Sequence, residues 1–287
     1  MTVVLKSFWV SLYSHPIYPA FQAYFEGLFR DVACKYDVIE IYSVFGPAPD
    51  VMNGDQRVLR VQFSGEGYYH DPSLFDLNLI PHLPTATIVP HLLGAQHLYI
   101  HDLWGRLQRP RLSLLENKTH FCTFIVSNGA PVERRDMFAA LNAYKPVHSA
   151  GLFMQNQPSP PECDSPEYFD YLSRYKFMIC FENGRVDYYF TEKLVNAYLG
   201  GCVPIYWGCP QLNTFINPRA VLCLDGPCTE AGLSDLVRRV IEVDQDPELY
   251  ARMLAEPLFS ESKLPRCCDM AAIRYEINRR INNMHQV

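Results

Sequence analysis

The chain has 287 residues, of which 48 % are hydrophobic and 20 % charged. That is enough for two cores of roughly 120 to 150 residues each and excludes a disordered polymer. A formal net charge of −6 excludes a general nucleic-acid binder, which needs an excess of Lys and Arg, but leaves room for a local basic pocket.

In chain order, Val3 to Tyr13 is predicted as a strand, and Phe21 to Ala33 as an amphipathic helix with Phe21, Tyr24, Phe25, Leu28 and Phe29 on one face. Strands are predicted at Val38 to Phe45, Val58 to Phe63 and Leu74 to Ile80. Prolines at 81, 84, 90 and 110 break the pattern from Pro81 to Arg111, which reads as loops closing a first domain. The boundary is expected near residue 116, giving a first domain over 1–116 and a second over 117–265. The second half repeats the theme with a strand at Phe121 to Val126 and a helix at Glu133 to Tyr144. A strand at Phe177 to Phe181 precedes a helix from Thr191, and further strands follow at Val203 to Trp207 and Ala220 to Leu224. A short helix from Gln211 and helices from Ser234, from Pro247 and over Asp269 to Asn283 complete it. Alternating strands and helices predict an α/β fold with doubly wound parallel sheets, whose ligands bind at the carboxyl ends of the strands.

Ten cysteines include no CxxC pair, so a structural zinc site is not expected; Cys34, Cys122, Cys180, Cys202 and Cys223 sit in apolar stretches and read as buried thiols. Asp244-Gln245-Asp246 has the letters of a metal-binding DxD, but Asp246 stands before Pro247 and Glu248 and reads as a helix cap. No apolar run approaches the ~20 residues of a membrane span. The amino terminus lacks a secretory signal pattern. A cytoplasmic location is the expectation, and the Asn117-Lys118-Thr119 sequon is then without meaning.

The segment richest in chemistry runs from Tyr175 to Gly208. An apolar strand ends in Glu182-Asn183-Gly184, a polar and aromatic loop follows, and Thr191 stands as a helix N-cap with Glu192 and Lys193 in the first turn. A first turn presents unpaired N–H groups and the positive end of the dipole; with Lys193 it suits a diphosphate. Glu192 beside an anion makes sense if it accepts hydrogen bonds from sugar hydroxyls. Each piece by itself is also an ordinary turn or a capped helix start.

FENGRVDYYFTEKLVNAYLGGCVPIYWG resembles the hallmark motif of the family 10 α-1,3-fucosyltransferases. FIVSNGAPVERRDMFAALNAYKPVHSAG and FSGEGYYHDPSLFDLNLI resemble two further segments of that family in the same order, and VIEIYSVFG its first-domain strand. The resemblance implies a GT-B fold, two Rossmann-like domains facing across a cleft, with the final helix, 266–287, packing back on the first domain. It implies GDP-fucose as donor, a carbohydrate acceptor, no cofactor, no catalytic metal and inversion at the anomeric carbon. It implies that Lys193 and Arg134 hold the phosphates, with Arg135 a close rival. Glu192 would lie near the ribose or fucose, and Tyr189, Glu182 and Asn183 would line the nucleotide pocket with Ser127 and Asn128 nearby.

The family's bacterial members carry a catalytic Glu after the FD-x-x-I strand, where this chain reads FDLNLIPHLPTATIVP and has none. His82, Glu66 and Asp76 are the candidate bases, Glu66 ahead of Asp76 because it follows a strand in a Gly-flanked loop. Tyr13, Tyr68, Tyr69 and Trp104 are candidates for stacking on an acceptor sugar, although core or partly exposed aromatics are the commoner case. KLVNAYLGGCVPIYWG also resembles exostosin-type transferases, so a UDP-linked donor such as UDP-xylose stays open, with Arg185 and Asp187 placed to tune the choice. The missing Glu keeps open a non-catalytic relative that binds sugar nucleotide or glycan.

Overall fold

A computed structural model describes residues 1–32, 35–49, 57–109, 111–259 and 264–284. The chain divides into two compact units, Met1–Asp102 with Val186–Tyr189 and Lys263–Val287, and Leu103–Arg185 with Phe190–Ser262.

The first unit is built on five parallel strands in sequential order: β1 (Thr2–Lys6), β2 (Val38–Tyr42), β3 (Val58–Phe63), β4 (Leu77–Ile80) and β5 (Ile88–Pro90). Both faces of a parallel sheet need cover, yet the inner strands carry Glu40, Arg60, Gln62 and Asn78 among their apolar residues, and buried Gln62 Nε2 donates to Asn78 Oδ1 at 2.8 Å. α1 (Tyr18–Phe29) presents Phe25, Leu28 and Phe29 to Ile39, Ile41, Leu59 and Val61 of the sheet. α8 (Met270–Met284) joins the same core through Ile273, Ile277 and Ile281, a stripe at four-residue spacing on one helix face. Arg274 of α8 donates to the Gly27 carbonyl of α1 at 3.0 Å.

The second unit holds five parallel strands in the order β10-β9-β8-β6-β7: β6 (His120–Phe124), β7 (Val147–Ser149), β8 (Tyr175–Phe181), β9 (Val203–Trp207) and β10 (Leu222–Cys223). Phe177, Ile179 and Phe181 of the central strand β8 are sealed from solvent. α3 (Val132–Tyr144), α4 (Pro166–Ser173), α5 (Glu192–Leu199), α6 (Glu230–Gln245) and α7 (Pro247–Ala255) complete it. From β6 the chain moves outward to β7, then returns across β6 to β8 and proceeds to β9. Connections therefore diverge between β6 and β8, the topological switch point where doubly wound sheets bind ligands.

Several sequence expectations need correction. The first strand ends at Lys6, because Ser7 takes φ +59° and a 3₁₀ turn fills Val10–Ser14. The stretch after Pro81 contains β5 and the helix α2 (Leu93–Ile100), whose Gly94, Ala95, Gln96, Leu98 and Ile100 are all buried, so it shows no amphipathic period. α6 starts at Glu230 rather than Ser234, since Thr229 caps it by accepting from Gly232 N at 3.1 Å. The unit boundary falls at Asp102 rather than near 116. The 3₁₀ segments Trp104–Gln108 and Arg111–Asn117 belong to the second unit because Arg111 lies 3.8 Å over the Tyr198 ring and donates to Cys202 O at 2.6 Å. Trp104, expected in the first domain, goes with them.

Cys122, Cys180 and Cys202 are buried free thiols and Cys223 is half-buried; Cys34 lies outside the described residues. Asp246 caps α7 by accepting from Glu248 N and Leu249 N, both at 2.9 Å. Asp244 is 2 % exposed and binds Lys145, Lys176 and Tyr144, tying α6 to α3 and β8. Burial pushes the Asp244 carboxyl up, but the hydrogen bonds from Lys145 and Lys176 outweigh it and hold the group below its ordinary value.

Asp244→Asn is expected to lower Tm by about 5 °C at pH 7, taking about 2 kcal/mol for a buried carboxylate whose lysine partners reach solvent. Because the folded-state pKa is depressed, this contribution is present above the unfolded value and lost as pH falls through the folded one. Thermal melts from pH 7 down to about pH 3 should therefore show the difference between variant and parent shrinking; a constant difference would contradict the ion-pair role.

Candidate active site

The loops that follow β6 and β8 meet at the switch point. Asn128, four residues past β6, and Asn183, two past β8, approach to 3.5 Å between Nδ2 and Oδ1. Between these loops, the start of α3 and the turn after β10 lies a cavity of about 610 Å³, lined by Asn128, Ala130, Pro131, Glu133, Asn183, Gly184, Arg185, Trp207, Pro227 and Cys228. Its size is that of sites that enclose a small ligand. Pro131 is the N-cap of α3, so the positive end of a 13-residue helix borders the cavity. Arg185 adds a cation and Glu133 an anion.

Beside this cavity the predicted Thr-Glu-Lys turn is organised around a buried acid. Glu182 is 0 % exposed. Its Oε1 accepts from Thr191 N at 2.9 Å, and its Oε2 from Thr191 Oγ1 at 2.8 Å. Lys193 Nζ lies 3.4 Å from Glu182 Oε2, 3.0 Å from Thr191 Oγ1 and 3.4 Å from Glu192 Oε1. Tyr206 Oη of β9 donates to Glu182 Oε1 at 3.4 Å. Burial pushes the Glu182 carboxyl up, and the positive charge of Lys193 opposes it.

Thr191 thus occupies the N-cap position of α5, as its sequence suggests, but makes no side-chain cap. Its hydroxyl and its N–H both serve Glu182. The carboxylate supplied by β8 fills part of the anion seat that the sequence assigned to an incoming diphosphate. Gly208 makes room for it: its φ is +153°, and a Cβ there would stand 2.5 Å from Glu182 Cγ.

Arg134 needs a larger correction. It is 1 % exposed, its Nε and Nη2 donate to Phe181 O at 3.0 and 2.7 Å, and its Nη1 donates to Asn128 O at 2.9 Å. The guanidinium clamps the carboxyl end of β8 to the loop after β6, a positioning role rather than a phosphate contact. Arg135 is exposed and lies 3.6 Å from Asp136, outside the cavity lining. Ser127 is exposed at the end of β6, and Glu192 is half-buried beside Lys193. Tyr189 is 3 % exposed and belongs to the first unit, where it and Val186 lie 3.5 Å from the place of a Cβ on Gly67.

Among the candidate bases, Asp76 precedes β4 and so lies at the amino end of the sheet, where its carboxylate accepts from Arg60 N at 2.7 Å. That is a turn role, and Asp76 is set aside. Glu66 follows β3 and His82 follows β4, both at carboxyl ends. His82 Nδ1 is 2.7 Å from Leu83 O, so Nδ1 carries the proton and Nε2 the lone pair; the ring meets Tyr69 edge-on at 5.8 Å. His91, after β5, is no rival: burial drives its pKa down to about 3, and Tyr24 Oη lies 3.1 Å from its Nε2. Tyr13 and Tyr68 are exposed in the first unit.

Comparison with known proteins matches residues 115–255 to the model of the glycosyltransferase family 10 (fucosyltransferase) C-terminal domain. The α-(1,3)-fucosyltransferase FucT of Helicobacter pylori is 38 % identical over 104 residues, 36 % of this chain and 21 % of that protein. The GDP-fucose protein O-fucosyltransferase 3 of Bos taurus is 34 % identical over 196 residues, 61 % of this chain and 40 % of that one. The chain thus spans less than half the length of these curated relatives. A solved α1,3-fucosyltransferase superposes with a TM-score of 0.73 over 98 % of this chain and 90 % of that chain at 18 % identity, and its GDP-fucose complex with 0.71. At that identity the likeness is one of fold, and it is the GT-B fold.

Glu182→Ala is expected to cost about 3 kcal/mol by leaving the buried Thr191 donors without an acceptor and Lys193 with Glu192 as its acid, and Thr191→Val about 1 kcal/mol. In urea melts the double variant should cost less than the sum, because the two share one interaction; strict additivity would show that they act apart. The strand, turn and helix probed in this way lie inside residues 115–255, the segment that matches the glycosyltransferase family 10 (fucosyltransferase) C-terminal domain.

Proposed function

We propose that the protein transfers L-fucose from GDP-fucose to a hydroxyl of a carbohydrate acceptor, with inversion and without a metal. One observation carries this reading: the cavity at the β6/β8 switch point lies within the segment that matches the fucosyltransferase family. The nucleotide occupies that cavity. Arg185, Lys193 and the first-turn amides of α3 supply the positive potential that the departing GDP requires as charge grows on its β-phosphate. Lys193 does this with two carboxylates already beside it, so donor binding includes a rearrangement of the Glu182–Lys193–Glu192 group. The acceptor oxygen attacks the anomeric carbon from the face opposite the diphosphate. The bond from that carbon to the phosphate oxygen breaks, and the hydroxyl proton passes to His82 Nε2 or the Glu66 carboxylate. A cytoplasmic location belongs to the same proposal, supported by the free thiols of the described cysteines.

A protein hydroxyl is a second reading of the acceptor. It is favoured by the relatives named GDP-fucose protein O-fucosyltransferase 3 from Bos taurus and Danio rerio, at 34 % and 29 % identity.

GDP is expected to raise Tm and UDP to leave it unchanged, by about 2.7 kcal/mol of stabilisation at a hundredfold excess over Kd. A UDP-selective shift would move the donor to the exostosin-like alternative. Arg185→Ala should weaken GDP binding roughly ten-fold or more, and Lys193→Ala should abolish turnover. Full activity in the lysine variant would sink the phosphate assignment. Replacing the true base, by His82→Ala or Glu66→Gln, should lower kcat by about 10²- to 10⁴-fold, read by mass-spectrometric detection of fucosylated product. GDP binding with neither transfer nor donor hydrolysis in the parent protein would support a non-catalytic relative.

A further inference from the structure

Where α4 and α5 end, ahead of the amino ends of β8 and β9 and away from the carboxyl strand ends that border the first cavity, lies a second concavity of about 320 Å³. It is bounded by the two 3₁₀ segments that open the unit, by α4 and by the last turn of α5. Arg106, Arg109 and Arg111 all line it, against the single carboxylate of Asp170. None of the three arginines has an ion-pair partner within 4 Å among the described residues.

Two of them are held rigidly by aromatic rings. Arg106 sits 4.2 Å over Phe169 and Arg111 3.8 Å over Tyr198. Stacking of this kind fixes the guanidinium plane; it leaves the edge of Arg106 available to an oxyanion, whereas Nη1 and Nη2 of Arg111 donate to Glu256 O at 3.5 Å and Cys202 O at 2.6 Å. Arg111 is 7 % exposed, and its buried Nε has no hydrogen-bond partner. Lys118, behind the pocket, donates to Ser173 O at 2.7 Å.

The charges also press on one another. Burial, and then the neighbouring Arg109, hold the Arg106 pKa below its ordinary value. Burial chiefly, with Arg111 contributing, brings Lys118 down to about 8. A fold that gathers three guanidiniums around one cavity, with Lys118 behind them and one facing carboxylate, bears a repulsion that a bound anion would relieve.

We propose that this pocket is an anion site that takes a phosphate-class dianion carried by a small molecule, separate from the donor cavity and built from Arg106, Arg109 and Arg111. Arg109 is the exposed arm that closes on the ligand, and the stacked Arg106 and Arg111 form the preset floor. The site does not depend on the identity of the sugar donor.

The probe is inorganic phosphate, titrated calorimetrically into the full chain at constant ionic strength set with chloride, with and without saturating GDP. Phosphate should bind in both cases. Arg109→Glu should weaken it roughly ten-fold or more, the scale of one lost charge-assisted contact, and leave GDP affinity and Tm unchanged. Arg106→Gln, which keeps a planar group over Phe169, is the second variant and should also weaken phosphate. Arg185→Ala, in the donor cavity, should leave phosphate binding under saturating GDP intact. Glycerol phosphate, run alongside, separates a free anion from an ester: tighter binding of the ester assigns the pocket to phosphorylated small molecules, equal binding to the free anion. Absence of phosphate binding by the parent chain, or affinity unchanged in both arginine variants, overturns the proposal. Loss of GDP binding with phosphate binding retained would instead count against the donor assignment alone.

Discussion

A carboxylate cut off from water stands at the end of the central strand of the second unit, and three chain segments converge on it. Glu182 comes from β8, Thr191 and Lys193 from the start of α5, and Tyr206 from β9. An isolated buried carboxylate would be prohibitive, so each of these donors is needed to keep it. Two hydrogen bonds from Thr191 set the entry of α5, the lysine balances the charge, and Gly208 turns out of the way at a backbone angle that side chains rarely adopt. The Glu, Thr-Glu-Lys and terminal Gly of the sequence motif are thereby explained as parts of one arrangement.

That arrangement has a counterpart on the other side of β8. Arg134 binds the Phe181 carbonyl twice and the Asn128 carbonyl once. A carbonyl at a strand end beyond the last ladder bond must find another donor, and a planar guanidinium can serve two backbone segments at once. The loop after β6 and the loop after β8 are therefore fixed to each other before any ligand arrives. The cavity between them is a preformed feature, and the energy of ligand binding need not be spent on ordering its walls.

The two basic features of the second unit differ in kind. Around the cavity at the β6/β8 switch point each cation has a nearby acid: Lys193 has Glu182 and Glu192, and Arg185 shares the lining with Glu133. The pocket of Arg106, Arg109 and Arg111 lacks that balance and is stiffened by aromatic stacking instead.

Much of the architecture was legible in the residues. The four-residue isoleucine stripe of α8, the apolar runs of β8 and β9, and the cap at Asp246 follow from local periodicity and turn chemistry, which act within a few residues of the chain. Segments without a local period escaped: α2 buries five of its eight residues, polar Gln96 among them, and β7 is only three residues long. The site divides along the same line. Asn128 and Asn183 were readable because each follows its own strand, and the Thr-Glu-Lys turn because it opens a helix. What Thr191 and Arg134 bind, the aspect of Arg111 toward Tyr198, and the entry of Pro227 and Cys228 into the cavity lining depend on strand order. β10, β9, β8, β6 and β7 are set side by side by long-range packing, and no spacing within the chain encodes which carbonyl or carboxylate a buried arginine or threonine will meet.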